Sequence, residues 1–155
     1  MYRTLRTGSP RKTLSLVGLF SGTTRVPRSL QDLDEAAKGR LTASMKSRQF
    51  RGEFGDLVID GDELILVGLG DRKKLDADAI RRLGGRLVKA LHAAEIRGVS
   101  VELHRTVSSP DPDGLGQALA EGMGLANWRV DFFDGKATTR SAASNALALT
   151  SSDAQ

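Results

Sequence analysis

The sequence predicts α/β layers, with a largely parallel sheet that carries one antiparallel hairpin. Three observations lead there. Apolar runs of strand length alternate with segments of helical periodicity, the pattern of strands joined by crossover helices. An Asp-Gly stands between two apolar runs in "LVIDGDELILV", a hairpin signal. The chain has 155 residues, long enough to bury a core, and no cysteine to staple a smaller one.

Taken in order, "TLSLVGLF" (13–20) lies between Arg11-Lys12 and "SGTTRVP" and reads as a buried strand. A helix over 30–47 follows. Ser29 is placed to cap it, Asp32 stands near the positive end of its dipole, and Leu30, Leu33, Ala37 and Leu41 recur at helical spacing. Leu57-Val58-Ile59 and Leu64 to Val67 form the hairpin. The second run hands over to a helix at 77–94, with Asp76 as its cap and Ile80, Leu83, Leu87, Leu91 and Ala94 along one stripe. "GVSVELH" (98–104) alternates Val99, Val101 and Leu103 with polar groups, as a strand does. After "SSPDPDG" comes a glycine-spotted helix over 115–128. From about Thr138 the chain turns Ser/Ala/Thr-rich and loses any sustained period, which reads as linker or tail. The expected organisation is an extension at 1–11, a domain at 12–137 and a tail at 138–155.

Composition narrows the function. Without cysteine there is no disulfide, thiolate or Zn–Cys chemistry, which suits a cytoplasmic protein. The longest apolar run is far short of a membrane span, and the basic N-terminus lacks the apolar segment and cleavage site of a signal peptide. A soluble protein is expected. The formal charge of +4 is spread among interspersed acids, and the seven aromatic side chains (five Phe, one Tyr, one Trp) do not interleave with the basic groups. Nucleic acid is thereby disfavoured as a partner.

The stretch "VGLGDRKKLDADAIRRLGGRL" poses the sharpest question about a site. Gly68-Leu69-Gly70 follows a strand and precedes a helix, where glycines let a phosphate approach the backbone. Gly68, Gly70, Asp71 and Lys73 are therefore the candidate ligand-binding residues. The dinucleotide fingerprint needs a third glycine at position 73, which is Lys, and the Gly-Lys-Ser/Thr of a P-loop is absent. Turn geometry at the strand exit is the plainer reading of both glycines. Arg82, Arg86 and Lys89 share a helix face and are the candidate polyanion-binding stripe, although Asp78 one turn earlier makes a solvated face the simpler account. His92 and His104 lack partners at metal-ligand spacing, and Asp111-Pro112-Asp113-Gly114 lacks the further oxygen ligands of a calcium loop. No catalytic and no metal-binding residue is assigned. Gly114, Gly116, Gly122 and Gly124 weaken the last helix unless its backbone packs closely on the sheet.

Several segments together resemble the N-terminal domain of the leucyl aminopeptidases (cytosol aminopeptidases). "LILVGLGDRKKLDADAIRRLGGRLVKAL" is similar to that domain's Val-Gly-Leu-Gly, charged loop and helix with an internal Gly-Gly pair. "LVGLF" looks like its first strand, and "GRLTASMKSRQFRGEFGDL" keeps a Phe-x-Gly-x-x-Gly rhythm at Phe50, Gly52 and Gly55. "QALAEGMGLANWRVDFFDGK" resembles its last helix and exit, through Glu121-Gly122 and Trp128 to Lys136. The resemblance spans about residues 12–137. It implies a three-layer macro-domain-like fold, a mixed, mostly parallel sheet with helices on both faces. It also implies a non-catalytic role in assembly or regulation, through self-association or beside a catalytic aminopeptidase domain. The family's two divalent metals (zinc or manganese) belong to that other domain, within an Asn-Thr-Asp-Ala-Glu-Gly-Arg signature with no counterpart here, so no cofactor is expected in this chain. The macro type of fold also leaves open an ADP-ribose-like anion-binding module, as fold analogy only.

Overall fold

A computed structural model describes residues 4–7, 13–47, 50–108, 111–127 and 146–150. The described strands are Thr4–Thr7 (β1), Leu14–Phe20 (β2), Leu57–Asp60 (β3), Leu64–Gly70 (β4), Gly98–Val101 (β5) and Ala146–Thr150 (β6). They form one sheet in the order β1-β6-β5-β2-β4-β3. Every neighbouring pair is parallel except the β3–β4 hairpin, where Leu57 stands opposite Val67 and Asp60 opposite Leu64. All seven residues of β4 are buried, because helices cover both faces of the sheet where it runs between β2 and β3 and leave no polar side to alternate with.

The period-2 geometry of the strands sorts the core into two layers. Leu14, Leu16 and Phe20 of β2 and Ile65, Val67 and Leu69 of β4 face one side. Val17 and Leu19 with Leu64 and Leu66 face the other. The first layer is covered by Ala77–Ala93 (α3), through Ile80, Leu83, Leu87, Val88 and Leu91, and by Pro112–Asn127 (α4), through Ala118, Leu119 and Met123. The second is covered by the shorter helices Gln31–Ala36 (α1) and Arg40–Ser47 (α2), with Leu30, Leu41 and Met45 buried beneath them. Each such leucine contributes roughly 1.5–3 kcal/mol by leaving water. The expected three-layer, mostly parallel α/β architecture is the observed one.

Local details depart from the sequence expectation in instructive ways. The helix expected over 30–47 is two helices, broken where Lys38 and Gly39 take φ of 55° and 75°. Ser29 caps neither. Instead Asp34 receives the Thr42 amide (3.2 Å) and hydroxyl (2.6 Å), holding the start of α2 against the end of α1. Asp76 does cap α3, accepting from the Ala79 amide at 2.7 Å, whereas Ala94 lies just past the helix and is exposed. The strand expected to reach His104 stops at Val101, and a 3-10 turn at Leu103–Arg105 follows.

The glycines of α4 were expected to allow close packing on the sheet. Gly122 permits a close approach to α3 instead: a Cβ there would overlap the Arg81 carbonyl oxygen, as one on Gly84 would overlap that of Leu119. A Cβ on Gly116 or Gly124 would meet nothing. The ends of the chain hold the largest difference. Thr4–Thr7 lies in the expected extension and Ala146–Thr150 in the expected tail, yet both are strands of the sheet, with β6 inserted between β1 and β5. Trp128 to Lys136 fall outside the described residues.

Candidate functional site

β2 and β4 are adjacent and parallel, and the chain leaves their carboxyl ends toward opposite faces, from β2 to α1 and α2 and from β4 to α3. Open α/β sheets bind ligands in the crevice such a divergence creates. A cleft of about 750 Å³ lies there, and its walls include Phe20, Thr23, Glu53, Phe54, Arg72 and Lys74.

The floor of the cleft is the end of β4 with the loop 52–56 laid against it. The Gly70 amide donates to the Gly52 carbonyl (2.9 Å), the Gly68 amide to the Asp56 carbonyl (2.8 Å), and the Gly55 amide to the Gly68 carbonyl (2.9 Å). Ser21 closes the other side, its amide donating to Gly70 O at 2.9 Å and its hydroxyl to Gly52 O at 3.2 Å. Gly68 has to be glycine because a Cβ would overlap the Glu53 carbonyl oxygen, and Gly70 because its φ is +71°. The amides that a glycine-rich cradle would offer to a phosphate are thus already engaged by the chain.

Of the residues singled out as ligand-binding, Gly70 and Asp71 line the cleft, while Gly68 and Lys73 do not. Asp71 caps the 3-10 turn Arg72–Lys74 by accepting from the Lys73 amide at 3.0 Å, which points its neighbours Arg72 and Lys74 to the cleft. The Arg72 guanidinium carbon sits 4.1 Å from the centre of the Phe20 ring, within the range of a cation–π contact. Sequence reasoning missed Phe20, Thr23, Glu53, Phe54, Arg72 and Lys74. They come from three segments distant in the chain, 20–23 at the end of β2, 53–54 and 72–74, and only the rule placing ligands at diverging strand ends could have collected them.

The stripe Arg82, Arg86, Lys89 lies along α3, away from the sheet. Arg82 pairs with Asp78 one turn earlier. Arg82 and Arg86 stand 5.7 and 5.6 Å from the Phe54 ring, and Arg86 also donates to the Phe54 carbonyl at 3.4 Å. Lys89 is exposed. Two of the three cations therefore brace the loop 52–56 on α3. Elsewhere Arg81 donates to Glu121 across α3 and α4 at 2.7 Å. That bond, with a second from Gln117, holds the Glu121 carboxyl below its ordinary 4.5. Asp32 is held below 3.8 by the Arg105 guanidinium. Among the described residues no three His, Cys, Asp or Glu side chains are grouped to hold a metal ion. Nor is any described helix long and apolar enough to cross a membrane.

A three-layer α/β domain with a mixed, mostly parallel sheet and a cleft at diverging strand ends is of the macro-domain type. Solved structures agree at the level of the fold. The macrodomain of Mycobacterium tuberculosis DarG matches 96% of this chain and 97% of its own with a TM-score of 0.56 at 14% identity. A mutant tomato leucine aminopeptidase matches 96% of this chain and 32% of its own, with a TM-score of 0.67 at 18% identity. The family model "Cytosol aminopeptidase family, N-terminal domain" matches residues 16–136, and the chain belongs to that family through this domain. Relatives named probable cytosol aminopeptidase include those of Alkaliphilus oremlandii, 28% identical over 75% of this chain and 25% of the relative, and Geobacter sulfurreducens, 28% identical over 71% and 23%. The chain spans about a quarter of the length of these relatives.

Proposed function

We propose that this chain serves as a non-catalytic assembly or regulatory domain of a leucyl aminopeptidase family protein, through self-association or against a catalytic domain, in the cytoplasm. The observation that carries the reading is the match of residues 16–136 to the family's N-terminal domain. Its chemistry points the same way. Metal-assisted peptide hydrolysis needs carboxylates converging on the ions and donors for the tetrahedral oxyanion. Four of the acidic groups have structural uses: Asp76 and Asp71 cap helical turns, Asp34 joins two helices, and Asp60 holds Ser44 and Arg40. Zinc or manganese, in this reading, belongs to the catalytic domain.

Sedimentation velocity and thermal denaturation over a hundredfold range of protein concentration test the self-associating form, since association stabilises the folded state by mass action. A melting temperature that rises with concentration together with a heavier sedimenting species is expected. A monomer at every concentration that also fails to bind a purified catalytic domain of the family would overturn the assembly role.

A further inference from the structure

We propose that the cleft at the ends of β2 and β4 binds a small zwitterion, a free α-amino acid or short peptide, with its carboxylate toward Arg72 and Lys74 and its ammonium toward Glu53 and Asp71. This goes beyond the assembly reading and does not rest on it.

The charges carry the argument. Arg72, Lys74, Glu53 and Asp71 line one cleft of about 750 Å³, a size suited to a small molecule. No ion pair joins any of the four to another described residue, whereas Arg40, Arg81, Arg82 and Arg105 are all paired. Charges of both signs thus line the same opening without pairing with one another. A purely anionic ligand would meet Glu53 and Asp71 as well as the two cations, and a purely cationic one the reverse. A molecule with one charge of each sign satisfies both sets, and mismatched charges are what an electrostatic site rejects. Arg72 offers a planar fork for a carboxylate, held in place by its stack on Phe20.

The aromatic rings argue against a nucleotide. Phe20 is 8% exposed and already carries Arg72, while Phe54 carries Arg82 and Arg86, so neither ring is left open as a base-stacking platform. The floor is preorganised by the hydrogen bonds among Ser21, Gly52 and Gly70, so little ordering accompanies binding.

The test is an NMR titration of the full ¹⁵N-labelled chain with L-leucine and glycyl-L-leucine, beside N-acetyl-leucine (no ammonium), leucinamide (no carboxylate), inorganic phosphate and AMP. Saturable shifts are expected at the amides of Gly22, Thr23, Phe54 and Arg72, with affinity lowered about tenfold when either charge is removed. Glu53→Gln and Lys74→Ala, both at exposed positions, should each weaken leucine about fivefold at an unchanged melting temperature. N-acetyl-leucine or phosphate binding as tightly as leucine would show an anion site and overturn the proposal. AMP binding more tightly would show a nucleotide crevice and overturn it too. Absence of saturable shifts at these amides, or variants that bind leucine like the parent, would also refute it.

Discussion

Gly68 and Gly22 separate two reasons for a glycine. Gly68 needs space: the Glu53 carbonyl occupies the place of a Cβ, and its φ lies outside the left-handed region. Gly22 needs only its φ of +79°, since a Cβ there meets nothing. Gly68→Ala should therefore lower stability by about 1–3 kcal/mol through overpacking, and Gly22→Ala by only about 1 kcal/mol through backbone strain. Denaturant midpoints of the two variants check this, and equal losses would contradict it. Leu66, fully buried in β4, should tolerate Asp least of all, because an unpartnered buried carboxylate loses several kcal/mol of a total of about 5–15. Acid sensitivity is also decided by single residues. The Glu121 carboxyl titrates below its ordinary 4.5 because Arg81, and then Gln117, bond to its charged form. Its contribution to stability is present above the unfolded value and disappears as pH falls through the lower folded one. The stability difference between the parent and Glu121→Gln should be larger near about pH 7 than near about pH 3. A difference that grows on acidification would contradict the pairing.

At the scale of elements, α3 and α4 pack closely because Gly84 and Gly122 let one backbone meet the other. Gly122→Ala should destabilise the domain. Gly124→Ala, at an exposed helical position with open space for a Cβ, should stabilise it by up to about 1 kcal/mol. Opposite signs from two glycines two residues apart is an outcome that helix propensity alone does not produce. The elements also show where sequence reasoning ran out. β2, β4 and α3 were legible because their periods are strong and their signals local: seven consecutive buried residues in β4, Asp76 at its cap, and the stripe from Ile80 to Leu91. Ala146–Thr150 was not. Its Leu147 and Leu149 alternate with alanines in a Ser/Ala-rich context, and it becomes a strand only by pairing with β1 and β5, far away in the chain. The cleft was half legible. Gly68-Leu69-Gly70 marked the right strand end, but Phe20 reaches it from the end of β2 and Glu53 from the 52–56 loop, and hydrogen bonds to that loop gave the glycines a structural use. Removing residues 138–155 should lower the melting temperature by exposing the edges that β6 covers. An unchanged melting temperature would contradict the placement of β6.

For the molecule as a whole, the net charge of +4 favours a polyanion only slightly, because acidic residues are interspersed with the basic ones. The stripe of Arg82, Arg86 and Lys89 offers at most three phosphate contacts, and Arg82 already has Asp78. Any DNA binding should be weak, with a log–log salt slope no steeper than about −3. A steeper slope in a filter-binding titration would point to a larger basic surface. We propose that this domain of the aminopeptidase family carries no peptidase centre of its own. Leucyl-p-nitroanilide hydrolysis by the purified chain, with zinc or manganese added and metal content measured alongside, tests it most directly. No turnover above that of the metal alone and no stoichiometric metal are expected. Chelator-sensitive turnover that co-purifies with the chain and disappears in the Asp60→Asn, Asp62→Asn double variant would contradict it.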